Sequence, residues 1–247
     1  PSTEPHMARA VAPLALLLSV VPVLMGIVLH ARANSVIAAE LHLSYETTWP
    51  FVIVMLVVAV ANRISAYVYQ CASDSLSAVY FFFSAAALII AAAGWLRILN
   101  VSWLPQTLWL MLIPIGYLVA ARLWRGRKPE RPLGWVAHAA TAAILAHAGV
   151  GVVQQVVQAA LPDRTHLLLA ILLAETAVFY SLAAVFRRKR TNIYFAVAAG
   201  CGAAWQLMLF AHLPEPLFTI IFAAVGLAMI FFARGLGLTS ATVYNAA

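Results

Sequence analysis

Glu175, Arg63 and His147 are the residues whose type and position could do chemistry in this chain, because each interrupts a long apolar run. Glu175 lies about ten residues into the stretch Thr165–Arg190, THLLLAILLAETAVFYSLAAVFRRKR. Arg63, with Asn62 beside it, stands a little past the middle of Trp49–Tyr69, and His147 is at the centre of Leu133–Leu161. A carboxylate left unpaired at such a depth in lipid costs about 2.5–3.5 kcal/mol on insertion scales. On its own helical face Glu175 has only Leu168, Ile171, Leu172, Phe179 and Leu182 for company, so a partner has to come from another helix.

Spacing extends two of these positions into stripes. Arg63, Tyr67 and Gln70 fall at i, i+4 and i+7, running from mid-run toward its end. His147, Gly151, Gln154 and Gln158 fall at i, i+4, i+7 and i+11, running the other way across the membrane. Two half-stripes meeting near a buried carboxylate are the layout of a proton or solute path. The plainer reading carries more weight. In it, Glu175 and Arg63 form a buried pair that sets helix register, and the glutamines hydrogen-bond between helices.

Other chemistries have less material. The chain has no phosphate-binding glycine loop, no His-Glu-x-x-His and no Gly-x-Ser-x-Gly, and it has only eight acidic residues. Lys128 and Lys189 both lie between apolar runs, which excludes a retinal-type Schiff base. His138 and His147 are nine residues apart, on opposite sides of a helix, so they cannot share a haem. His30, His42, His166 and His212 all fall at one membrane face, and a haem through His30, His166 or His212 is conceivable. A haem ligand would sit a turn or two inside its span rather than at the end, so no cofactor or metal is expected. Cys71 and Cys201 lack metal-site spacing and fall at different depths, which argues against a disulfide.

The elements that must position these residues are membrane spans. The 247 residues are 64% hydrophobic and 9% charged, with a mean hydropathy of +0.94. Soluble domains are closer to half apolar and a quarter charged. Apolar runs of about 20 residues recur throughout. They predict eight spans: Val11–Leu29, Trp49–Tyr69, Leu76–Leu99, Thr107–Trp124, Leu133–Leu161, the Thr165–Arg190 stretch, Thr191–His212 and Leu217–Arg234. The first run is longer than the apolar core of a signal peptide. A first residue other than Met is what a processed chain, or part of a longer one, would show. Between the first two runs, Val36–Leu43 is expected as a short interfacial helix. Turns are expected at Asp74, Asn100–Gln106 and Pro162–Arg164.

Charge supplies the orientation. With eight spans, twelve of the fifteen Lys and Arg residues fall on the face that holds both termini. The dense clusters there are Arg125, Arg127, Lys128, and the run Arg187, Arg188, Lys189, Arg190. Arg32, Arg97 and Arg164 fall opposite. The positive-inside rule then makes both termini cytoplasmic, as in a bacterial-type inner membrane. The net charge of +7 is spent on these anchors, which argues against nucleic-acid binding. Tryptophans 49, 95, 103, 109, 124 and 135 stand at span ends as interface anchors, while Trp205 lies deeper.

A weak repeat at 114 residues places Tyr80-Phe81 on Tyr194-Phe195 and Ala85 on Ala199. Four spans is an even number, so such a duplication would be parallel. The expectation is therefore an all-α integral membrane protein, a bundle of about eight transmembrane helices. Residues 1–124 and 133–247 would be two four-helix halves, joined by the basic cytoplasmic linker 125–132. Its function is expected to be non-enzymatic: a scaffold, anchoring or assembly module working in the bilayer with other membrane subunits. A proton-coupled carrier using Glu175, Arg63 and His147 is the alternative.

Overall fold

The computed structural model describes residues 19–30, 32, 46–69, 74–127, 129–158, 163–187 and 189–235. Among these residues the chain is all helical, with no strand. The helices are α1 (Ser19–His30), α2 (Trp49–Val68), α3 (Asp74–Ile98), α4 (Trp103–Leu123), α5 (Glu130–Gln158), α6 (Asp163–Arg187), α7 (Arg190–Phe210) and α8 (Pro216–Gly235). Six of them, α2 to α7, are long and apolar enough to cross a membrane. At a rise of 1.5 Å per residue, the 20 residues of α2 reach roughly the 30 Å of a bilayer core. Shorter apolar segments are α1 itself and the Pro216–Ala228 stretch of α8. Val36–Leu43, Gln70 and Cys71 lie outside the described residues.

Helix starts differ from the expected ones in a consistent way. Asp74, Pro105, Glu130 and Asp163 were expected in turns or a linker, and all lie in first helical turns. The reason is local. The first four N–H groups of a helix lack intrahelical acceptors, so proline loses nothing there, and a carboxylate gains from the N-terminal dipole. The interior Pro114 of α4 is different, because it forfeits a hydrogen bond to the Leu110 carbonyl.

The chain divides into two compact units. One comprises Pro1–Ser102 with Leu123–Ala140, the other Trp103–Arg122 with Thr141–Ala247. They exchange elements relative to the halves 1–124 and 133–247. The residues of α4 up to Arg122 belong to the second unit, and α5 passes from the first unit into the second.

In the first unit α2 and α3 pack as an antiparallel hairpin. Ser77 Oγ donates to the Ala66 carbonyl at 2.7 Å and Ser84 Oγ to the Ala59 carbonyl at 2.8 Å. Further along, a Cβ placed on Gly94 would stand 3.0 Å from Phe51 Cε1 and 3.3 Å from Val52 Cγ2. Small residues make this approach possible: Ala87 and Ala91 of α3 are buried with Phe51, Val52, Met55 and Ala59 of α2, and Val23 of α1 joins them. The opposite face of α2 (Ile53, Val54, Val57, Val60 and Ile64) is more than half exposed. An apolar face this continuous belongs against lipid tails. Removing the interhelical hydroxyl with Ser84→Ala is expected to lower stability by about 0.6 kcal/mol, measured by unfolding in mixed micelles.

In the second unit α6 and α7 also pack as a hairpin. Tyr180 of α6 stacks on Phe195 of α7 at 5.0 Å, and Leu173 of α6 lies 3.2 Å from the Cβ position of Gly202 in α7. Displacing the α2/α3 pairs 66/77 and 59/84 by 114 residues gives 180/191 and 173/198. The observed partners of 180 and 173 lie four residues further on, about one turn. Helix starts correspond too: Trp49 of α2 maps onto Asp163, the first residue of α6.

Candidate functional site

Asn62 and Thr176 are 114 residues apart, and both are 2% exposed. Asn62 Nδ2 donates to the Val58 carbonyl at 2.9 Å, and Thr176 Oγ1 donates to the Leu172 carbonyl at 2.8 Å. Each satisfies a donor against the preceding turn of its own helix, which lipid would otherwise leave unmet. Thr107 Oγ1 does the same in α4, donating to the Leu104 carbonyl at 2.6 Å. Each of these three bonds stays within one helix, and Asn62 Oδ1 is shielded with no hydrogen-bond partner.

Glu175 is the thirteenth of the 25 residues of α6, the midpoint of the helix. It is half-buried, and its Oε2 is shielded with no hydrogen-bond partner. Among the described residues Glu175 makes no ion pair either. His147, eighteenth of the 29 residues of α5, is half-buried in the same unit. Gln154 and Gln158 lie on the last turns of α5, but their side chains are outside the described set. Gly151, between His147 and these glutamines, has a packing role: its Cβ position falls 2.6 Å from the Trp103 ring of α4.

Arg63 belongs to the first unit. It is the fifteenth of the 20 residues of α2, five residues or about 8 Å of axial rise from Val68. Its guanidinium sits 3.9 Å from the Phe81 ring centroid, on the facing turn of α3. From there it lines an open cleft of about 640 Å³ together with Tyr67, Ser75, Arg127, Glu130 and Arg131. The 125–132 connector reaches this place by a tight turn. Gly126 has φ +78°, a conformation that costs other residues strain. Its N–H donates to the Glu130 carboxylate at 2.6 Å, and the Arg127 N–H bonds back to the Trp124 carbonyl at 2.9 Å. The sequence marks Arg127 as an anchor and Arg63 as a mid-membrane charge. That they share one cleft with Arg131 is not legible from spacing, because periodicity along one helix does not report which connector folds against its end.

Two of the histidines at the expected outer face, His166 and His212, contact protein groups. His166 Nδ1 is 2.8 Å from Gln206 Oε1, linking α6 to α7. His212 Nε2 is 3.6 Å from Asp163 Oδ2, with both side chains well exposed. His30, at the end of α1, is half-buried. No group of three His, Cys, Asp or Glu side chains among the described residues is placed to hold a metal. Trp205 packs edge-on against Phe218 of α8 at 5.6 Å and beside Phe222 at 6.3 Å, which accounts for an indole far from a span end. No protein-family model, curated protein or solved structure matches this chain.

Proposed function

We propose that the chain is a non-enzymatic membrane module, a scaffold or anchoring subunit that assembles with other membrane proteins. The observation carrying this reading is how its buried polar groups are used. Asn62, Ser77, Ser84, Thr107 and Thr176 all bond backbone carbonyls within or between helices, as structural polar residues in bilayers do. On this reading α1 and α8 complete eight spans, both termini are cytoplasmic in a bacterial-type inner membrane, and the protein is a parallel 4+4 duplication. The matched helix starts, the hairpin registers one turn apart and the Asn62/Thr176 equivalence support the duplication.

One observation favours the carrier reading instead. Glu175 is a carboxylate at the centre of a span with a shielded, unbonded oxygen, and such residues often mark ion paths. The two readings separate in proteoliposomes carrying an entrapped pH dye. A scaffold shows proton leak no greater than protein-free vesicles, for wild type and Glu175→Gln alike, and extracts from its native membrane at fixed stoichiometry with another subunit. Proton flux that Glu175→Gln abolishes would overturn it. The topology has its own test. In a chain lacking the native cysteines, single cysteines at Gly126 and Pro214 are expected to react with an impermeant maleimide from opposite sides of the membrane. Labelling of both from one side would remove the eight-span arrangement.

A further inference from the structure

We propose that the cleft at the basic end of the first unit binds the anionic headgroup of a phospholipid, with an acyl chain in the apolar groove beside it. The assignment goes beyond the scaffold reading and does not depend on it.

Two cavities meet at this place. Among the described side chains, the polar cleft of about 640 Å³ holds Arg63, Arg127 and Arg131 with one carboxylate, Glu130. That carboxylate already accepts the Gly126 N–H at 2.6 Å. Arginine is charged at any physiological pH, so the described side chains lining the cleft carry more positive than negative charge, and the planar guanidinium fork matches phosphate oxygens. Arg63 is held in place over the Phe81 ring at 3.9 Å, which lowers the ordering cost of using it. Ala78, Arg131 and Pro132 line this cleft and also a second groove of about 430 Å³. The remaining walls of the groove are Val79, Phe82, Phe83 and Trp135. A cationic pocket continuous with an aromatic, aliphatic groove has the two-part chemistry of a phospholipid.

Position agrees with chemistry. The cleft lies where α2 ends, α3 begins and the basic connector enters α5, so it stands at headgroup level. Trp135, 68% exposed on the groove side, is the residue type favoured at that level. Basic pockets between spans on the positively charged face are where anionic headgroups bind. A free phosphate would satisfy the arginines but would leave the groove unexplained.

The test uses the detergent-purified full chain and three ligands: short-chain phosphatidylglycerol, phosphatidylcholine of the same chain length, and inorganic phosphate. Binding is read by calorimetry and native mass spectrometry. Phosphatidylglycerol is expected to bind about tenfold or more tightly than phosphatidylcholine, the worth of one charge-assisted hydrogen bond. Arg127→Gln with Arg131→Gln should erase that preference, and Arg127→Lys with Arg131→Lys should restore part of it. Both arginines are exposed, so thermal unfolding of the unliganded protein should not change. Val79→Trp, which fills the groove alone, should weaken phosphatidylglycerol and leave the headgroup cleft intact. Equal affinity for the two lipids, or a preference that survives the double glutamine variant, overturns the proposal. Inorganic phosphate that displaces phosphatidylglycerol, with lipid binding indifferent to Val79→Trp, identifies a free-anion site and also overturns it.

Discussion

Replacing Gly151 with alanine is expected to destabilise the second unit by about 1–3 kcal/mol, the range for overpacking a filled site. A Cβ at this position would lie 2.6, 2.7 and 3.0 Å from Cε3, Cζ3 and Cδ2 of Trp103. These atoms belong to a rigid indole, not to the far end of a flexible chain, so the ring or the helix must move. Trp103 is the first residue of α4 and Gly151 lies in the last third of α5, so relief by moving the ring displaces the start of α4. The neighbouring Gly149 provides the control. Nothing lies within 4 Å of its Cβ position, and Gly149→Ala should stabilise by about 0.5–1 kcal/mol through helix propensity. Two identical substitutions two residues apart are thus expected to have opposite signs in an unfolding titration. Adding Trp103→Ala to Gly151→Ala should recover part of the loss relative to Trp103→Ala alone. Equal effects at 149 and 151 would remove the Trp103 contact as the explanation.

The Gly151 case shows which parts of the structure the sequence makes legible. Hydropathy and length mark the six long helices because the bilayer demands about 20 apolar residues per crossing, and α2 begins at Trp49 where the Trp-Pro pair announces it. Helix starts at Asp74, Glu130 and Asp163 lie two or three residues before the expected ones, because a hydropathy window ends where charge begins while the helix runs on into its charged first turn. Spacing placed Gly151 in a polar stripe with His147. Periodicity reports which residues share a face, but it cannot report that an indole from another helix fills the notch a glycine leaves. Likewise Arg63 reads as a mid-membrane charge needing an anion, whereas the structure sets it over Phe81 and in a cleft near the end of its helix. A long side chain can carry its charge several ångströms from its Cα, and one-dimensional depth does not include that reach.

Glu175→Leu is expected to raise stability, by up to about 2.5 kcal/mol if the full mid-span cost of a charged side chain is recovered. The carboxylate sits at the centre of α6 with one oxygen shielded and unbonded, so the described structure offers nothing that its removal would break. The sign of the effect is the informative part. A buried ion pair that sets register would behave oppositely, because removing one partner strands the other charge at a cost of about 3–5 kcal/mol. Unfolding titrations of Glu175→Leu and Glu175→Gln therefore test whether this residue holds the bundle together. If the leucine variant is more stable, the carboxylate is kept for something outside the fold of this chain. In a scaffold that is a cation or hydrogen-bond donor on the transmembrane helix of a partner, and co-extraction of the partner should fall in both variants. In a carrier it is a proton, and flux should fall while the complex persists. Loss of stability in both variants would return Glu175 to a purely structural role and would leave neither reading its mid-membrane residue.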